Sequence, residues 1–202
     1  MKLIIASNNK GKIREYKQIL EPMGFEVLSQ SEAGIDLEAE ETGTTFAENS
    51  AIKARAIYGM TKCAVLADDS GLSVDALGGE PGVYSARYEG IESSEGRSLR
   101  ILEKLKDVPE EQRGASFICC IHMILSDGRE ITVEGRCTGR IGYEQLGTNG
   151  FGYDPIFMYG DRSFAEIPSE EKNRVSHRAA ALEKLIENLK ELDIYDNTKA
   201  EG

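Results

Sequence analysis

Long apolar runs are missing from this 202-residue chain, and their absence excludes a class of proteins at the outset. No stretch approaches the roughly 20 apolar residues that a bilayer-spanning helix needs, and the opening Met1-Lys2-Leu3-Ile4-Ile5 is too short for a signal-peptide core. A soluble, cytoplasmic protein with no membrane partner is expected. Cysteine is scarce as well. Cys63, Cys119, Cys120 and Cys137 lack paired metal-ligand spacing, so they read as reduced core residues rather than a zinc or redox centre. Positive charge is the third shortage, with 24 Lys and Arg against 35 Asp and Glu and a net charge of −11. Proteins that hold nucleic acid by its phosphates depend on clustered Lys and Arg, so no nucleic-acid partner is expected. An anionic ligand would need local basic groups or a metal to overcome the overall field.

What is present suits a sizeable core, since 40% of the residues are apolar. Lys2 to Ala6 is a short apolar run, a polar turn follows, and Ile13, Tyr16 and Leu20 recur at helical spacing. This predicts a strand, a turn and a helix that ends near Glu21-Pro22-Met23-Gly24, with a second strand from Phe25 to Leu28. A second helix is expected over about Thr44 to Lys62. A buried strand, Ala64 to Ala67, should then run into a turn at Asp68-Asp69-Ser70-Gly71. Ser93 to Asp107 reads as a third helix. From Ala115 the apolar period becomes two, Asp127-Gly128 supplies a hairpin turn and Ile131 to Ile141 returns, which gives the sheet an antiparallel part. A last helix is expected around Ser176 to Leu192. The fold class is thus α/β, a mixed, partly antiparallel twisted sheet flanked by helices, with residues 1–193 as one domain and 194–202 as a flexible tail.

Three clusters could carry chemistry. Ser7-Asn8-Asn9-Lys10-Gly11-Lys12 lies where a strand gives way to a helix start, where free backbone N–H groups and the helix dipole favour phosphate. The bland alternative is an ordinary cap with surface lysines. The second cluster joins Glu38, Glu40 and Glu41, in a loop, to Asp68-Asp69, expected at the carboxyl edge of the sheet, where open α/β sheets bind ligands. Such hard oxygen donors suit Mg2+, unless the aspartates merely cap a turn. The third cluster is Phe151-Gly152-Tyr153-Asp154 with Lys172 and His177-Arg178: an aromatic ring can stack a base, and Arg and His can donate to a keto oxygen. Its alternative is core packing and helix decoration.

Together the three clusters resemble the inosine triphosphate pyrophosphatase, or Ham1-like, family. The likeness runs from Ser7-Asn8-Asn9 through Glu40 to Asn49 and Ala67 to Leu72, then Leu77 to Tyr88, Gly150 to Pro155, Glu171-Lys172 and Ser176-His177-Arg178. The resemblance implies an ITPase/Maf-like fold with two lobes and a central cleft, and a homodimer. It implies hydrolysis of non-standard purine nucleoside triphosphates (ITP, dITP, XTP) to monophosphate and pyrophosphate with Mg2+. It places Ser7, Asn9 and Lys12 in a phosphate loop that spans Ser7 to Lys12. Glu40 becomes a metal ligand, with Glu41 able to exchange roles and Asp68 a further alternate. Asp69 becomes metal ligand and proton acceptor, and Lys53 and Ser70 phosphate contacts. Phe151, Gly152, Tyr153, Asp154, Lys172, His177 and Arg178 fall at nucleoside-binding positions. Arg178 offers only N–H donors, so it fits a 6-keto purine and opposes the 6-amino group of adenine, although guanine passes the same test. A Maf-like pyrimidine triphosphate pyrophosphatase and a nucleotide sensor without turnover are the competing readings. The late His177-Arg178 motif opposes the first, and the complete acid set the second.

Overall fold

The computed structural model describes residues 2–192, so the tail expected over 194–202 lies outside the described residues. Its elements run β1 Lys2–Ile5, α1 Lys10–Leu20, β2 Glu26–Ser29, α2 Phe46–Thr61, β3 Ala64–Val74, α3 Ser94–Lys104, β4 Gly114–Ile124, β5 Glu130–Ile141, β6 Phe157–Tyr159, β7 Arg162–Ser163, α4 Ser169–Val175 and α5 His177–Glu191. They form a mixed α/β fold on a seven-stranded sheet ordered β2-β1-β3-β4-β5-β6-β7. β1 pairs parallel with β2 and β3, while β6 pairs antiparallel with β5 and β7. The hairpin expected at Asp127-Gly128 is present, closed by Leu125 N–H to the Arg129 carbonyl at 2.8 Å. Among the described residues no helix is long and apolar enough to cross a membrane.

The chain divides into two compact units. The first comprises the described parts of Met1–Asp69, Cys119–Gly135 and Ala179–Gly202. Strand alternation sorts its core onto the two sheet faces. Leu3, Ile5 and Leu66 pack with Tyr16 and Leu20 of α1 and Leu182 and Leu185 of α5. Ile4, Val65 and Ala67 pack instead with Ala54 and Ile57 of α2. Ile5, Leu66 and Val65 are wholly buried, and each such side chain contributes about 1.5–3 kcal/mol. The second unit, Ser70–Ile118 with Arg136–Arg178, is built around Leu72, Ile101, Leu105, Ile141 and three rings. Phe117 lies 4.6 Å from Phe157, which lies 4.9 Å from Phe164, at tilted angles that suit aromatic quadrupoles.

Two expectations are corrected. β3 does not stop at Ala67 but continues to Val74, so Asp68-Asp69-Ser70-Gly71 is strand rather than turn. The sheet edge at the aspartates is made by β1 instead: Ile5 pairs with Leu66, and β1 then ends, leaving the next residues of β3 without that neighbour. The seven-residue helix α4, which precedes α5 and carries Lys172, was also not expected. It opens after Pro168 and is too short to show a helical repeat of apolar residues.

Candidate active site

Within the first unit, β3 distributes its two aspartates as its pleat requires. Leu66 faces α1 and Ala67 faces α2, so Asp68 continues toward α1 and Asp69 toward α2. Asp68, fully buried, meets Lys12 Nζ at 3.0 Å, and Cys119 Sγ lies 3.7 Å from the same carboxylate oxygen. Asp69 is held from α2 by residues one helical turn apart. Asn49 Nδ2 donates to its Oδ2 at 3.1 Å, and Lys53 Nζ stands 3.6 Å from its Oδ1. Lys53 also donates to Glu41 Oε1 at 2.8 Å. Two lysines thus meet three carboxylates beyond the carboxyl end of β1.

Burial pushes the Asp69 carboxyl above its ordinary value, although Lys53, Lys12 and the Asn49 amide pull it down. Burial alone would depress the Lys53 ammonium, but Asp69, Asp68 and Glu41 outweigh that effect and hold it above its usual value. Glu41 is half-buried beside this cluster, whereas Glu40 is exposed in the same loop. No group of three or more His, Cys, Asp or Glu among the described residues forms a ready metal cage. That is compatible with Mg2+, which usually takes one or two carboxylates and keeps its other positions for water and phosphate. The hard oxygen donors of Asp69 and Glu41 fit it.

The Ser7 to Lys12 turn is where it was expected, but the N–H groups of Ser7, Asn9, Gly11 and Lys12 are engaged. Asn9 caps α1, its Oδ1 accepting from Gly11 N–H at 2.9 Å and Lys12 N–H at 3.1 Å, while Ser7 Oγ accepts from Asn9 N–H. The expectation of open amides is therefore corrected at Ser7, Asn9, Gly11 and Lys12. Asn8 and Lys10 are exposed.

The third cluster assembles inside the second unit. Lys172 Nζ donates to Asp154 Oδ2 at 2.6 Å, with both side chains at most 5% exposed. The same carboxylate oxygen accepts from Phe151 N–H at 2.8 Å, which fixes the glycine-flanked loop. The Lys172 ammonium sits 4.8 Å and the Arg178 guanidinium 6.0 Å from the centre of the half-buried Phe151 ring. Arg178 is almost fully buried and donates to Ser70 Oγ at 3.2 Å. His177 stacks on Phe117 at 4.8 Å. Tyr153 turns into the core and donates its hydroxyl to the Ser85 carbonyl at 2.9 Å, and Gly152 adopts a positive φ of 64°. Phe151, Asp154, Lys172 and Arg178 thus share one locality.

Asn49 was not among the candidate residues. The signal that could have exposed it is its i, i+4 spacing from Lys53, which places both on one helix face.

Comparison with known proteins gives a consistent picture. The sequence model described as the Ham1 family matches residues 3–188. A dITP/XTP pyrophosphatase of Bacillus licheniformis is 50% identical over 186 residues, covering 91% of this chain and 95% of that protein. Its counterpart from Bacillus subtilis is 49% identical over 185 residues, covering 90% and 93%. Among solved structures, the Staphylococcus aureus Ham1 protein aligns with a TM-score of 0.83 at 41% identity, covering 94% of this chain and 98% of that one. A HAM1 protein from Coxiella burnetii aligns with a TM-score of 0.83 at 39% identity, covering 95% and 99%.

Proposed function

Since this chain belongs to the Ham1 family, we propose that it hydrolyses non-standard purine nucleoside triphosphates to the monophosphate and pyrophosphate. The observation that carries this reading is the grip on Asp69: a buried carboxylate within β3, beyond the point where the neighbouring β1 stops, faced by Lys53 and near Lys12.

In the proposed reaction a water oxygen bonds to the α-phosphorus, and its proton passes to the Asp69 carboxylate. The bond from the α-phosphorus to the bridging oxygen breaks, pyrophosphate leaves with the electron pair, and the proton is released to solvent. The raised value of Asp69 supports this role, because a general base works best with a pKa closer to the working pH. Lys12 and Lys53 neutralise phosphate charge, and the Ser7 to Lys12 turn and Ser70 contribute polar contacts. Asp69 with an acid of the Glu40-Glu41 loop would hold Mg2+, and Glu41, which shares Lys53 with Asp69, is favoured. Bound Mg2+ supplies further neutralisation of phosphate oxygens.

Phe151, Lys172, His177 and Arg178 are assigned to the base. Arg178 can donate to a 6-keto oxygen but not accept from a 6-amino group, a mismatch that costs roughly 1–3 kcal/mol. The proposal carries with it a cytoplasmic homodimer, which light scattering of the purified protein tests for assembly.

Pyrophosphate release from ITP, XTP, dITP, GTP, ATP and UTP, with and without Mg2+, is the deciding assay. Metal-dependent release from ITP, XTP and dITP at least tenfold above the others is expected. Preferred release from UTP would overturn the purine reading, and ITP binding without release would make the protein a sensor.

A further inference from the structure

The Asn49 side chain is completely buried, yet both ends of its amide are used. Its Oδ1 accepts the Gly43 N–H at 2.8 Å, and its Nδ2 donates to Asp69 Oδ2 at 3.1 Å. One end needs an acceptor and the other a donor. Of the side chains of this size only Asn supplies both: Asp loses the donor and Leu loses both. Gly43 directly follows the Glu40-Glu41-Thr42 segment. A single amide therefore connects the acidic loop to the strand carboxylate assigned as base.

The surroundings hold this amide in place. Thr45 caps α2 by accepting from Glu48 N–H, and Glu48 in return accepts from Thr44 N–H at 2.7 Å and Thr45 N–H at 3.1 Å. The loop is thereby bound to the first turn of the helix that carries Asn49. Gly43 is required by close approach: a Cβ there would lie 2.7 Å from Asn49 Oδ1 and 2.6 Å from Glu48 Cβ. Lys53, one turn further along α2, faces the other oxygen of Asp69.

We propose that Asn49 is a positioning residue for hydrolysis, setting the orientation of the Asp69 carboxylate and tying it to the Glu40-Glu41 loop. This inference rests on the pyrophosphatase reading above. Asn49 does not touch the reacting atoms; it acts through Asp69 and through Gly43. Partners of this outer kind typically contribute about 10- to 100-fold to activity or metal affinity.

The test compares wild type, Asn49→Asp and Asn49→Ala for kcat and KM with ITP, for thermal midpoint and for Mn2+ binding to the substrate-free protein by calorimetry. Wild-type turnover of ITP is checked first, and its absence would refute the pyrophosphatase reading rather than this one. Asn49→Asp keeps the volume and the acceptor for Gly43 while replacing the amide donor to Asp69 by a second carboxyl beside it. For this variant kcat should fall about 10- to 100-fold, with KM within about threefold and a folded protein at the assay temperature. Mn2+ affinity should change by at least threefold. If Asn49→Ala does not fold, Asn49→Asp alone decides. A folded Asn49→Asp variant with kcat within twofold of wild type, or a loss confined to KM, would overturn the proposal. So would failure of Asn49→Asp to fold, which would mark the residue as purely structural.

Discussion

The ion pair between Lys172 and Asp154 offers the sharpest energetic test of the second unit. Replacing Asp154 by Ala leaves the Lys172 ammonium in a site where its side chain is 5% exposed, and deprives the Phe151 N–H of its acceptor. Removing one partner of a buried pair costs about 3–5 kcal/mol, because the remaining charge stays desolvated. For a chain of this size each kcal/mol lowers the midpoint by roughly 2–4 °C, so Asp154→Ala should melt about 6–20 °C below wild type. The double variant Asp154→Leu with Lys172→Met removes both charges and should recover most of that loss, since apolar replacement of a buried pair is often neutral or stabilising. Its activity should not recover, because Lys172 and the anchored Phe151 loop are both assigned to the base. Urea unfolding and pyrophosphate release from ITP are measured on wild type, Asp154→Ala and the double variant. A single-variant loss below about 1 kcal/mol, or a double variant no more stable than Asp154→Ala, would refute the reasoning.

Asp69→Asn should reduce turnover about 10²- to 10⁴-fold, the range expected for loss of a general base, and near-normal turnover would remove that role from Asp69. The same variant carries a stability prediction with a definite sign. Burial raises the folded-state value of Asp69, so its stabilising contribution is full below the ordinary carboxyl range and lost as pH rises through the folded value. At pH 7.5 the Asn variant should therefore melt at or above wild type, with the difference shrinking toward pH 4, and a lower midpoint at pH 7.5 would contradict the sign. Gly150→Ala should destabilise by at least about 1–2 kcal/mol, since Gly150 has a φ of 76° and a Cβ there would collide with the Asp154 carboxylate. An unchanged unfolding midpoint would show that the Asp154 loop adjusts freely. Arg178→Gln, whose side-chain amide can accept from a 6-amino group as well as donate to a 6-keto oxygen, should reduce the preference for ITP over ATP in kcat/KM by about 5- to 150-fold, the equivalent of about 1–3 kcal/mol. Equal losses on both substrates would mean that Arg178 does not read the purine 6-position.

What the sequence by itself determined was whatever depends on near neighbours along the chain. A short apolar run marked β1, the apolar period set α1 and β4, and Asp127-Gly128 set the hairpin of β4 with β5, because side-chain spacing and turn conformation act over a few residues. The Ser7 to Lys12 turn, the acidic loop and the Phe151 to Asp154 segment were legible as clusters for the same reason. Tertiary structure decided how those clusters are wired. Whether Asp68 and Asp69 ended a strand depended on where β1 stopped beside them, which no local pattern records. The choice of Asn9 as a cap over open amides, and of Glu41 over Glu40 as the partner of Lys53, depended on backbone placement that several amino-acid patterns could satisfy. Asn49 shows the division most clearly. Its helical position was readable, but its function as a link depends on Asp69, twenty residues away in sequence, and on a donor and an acceptor meeting in one buried place.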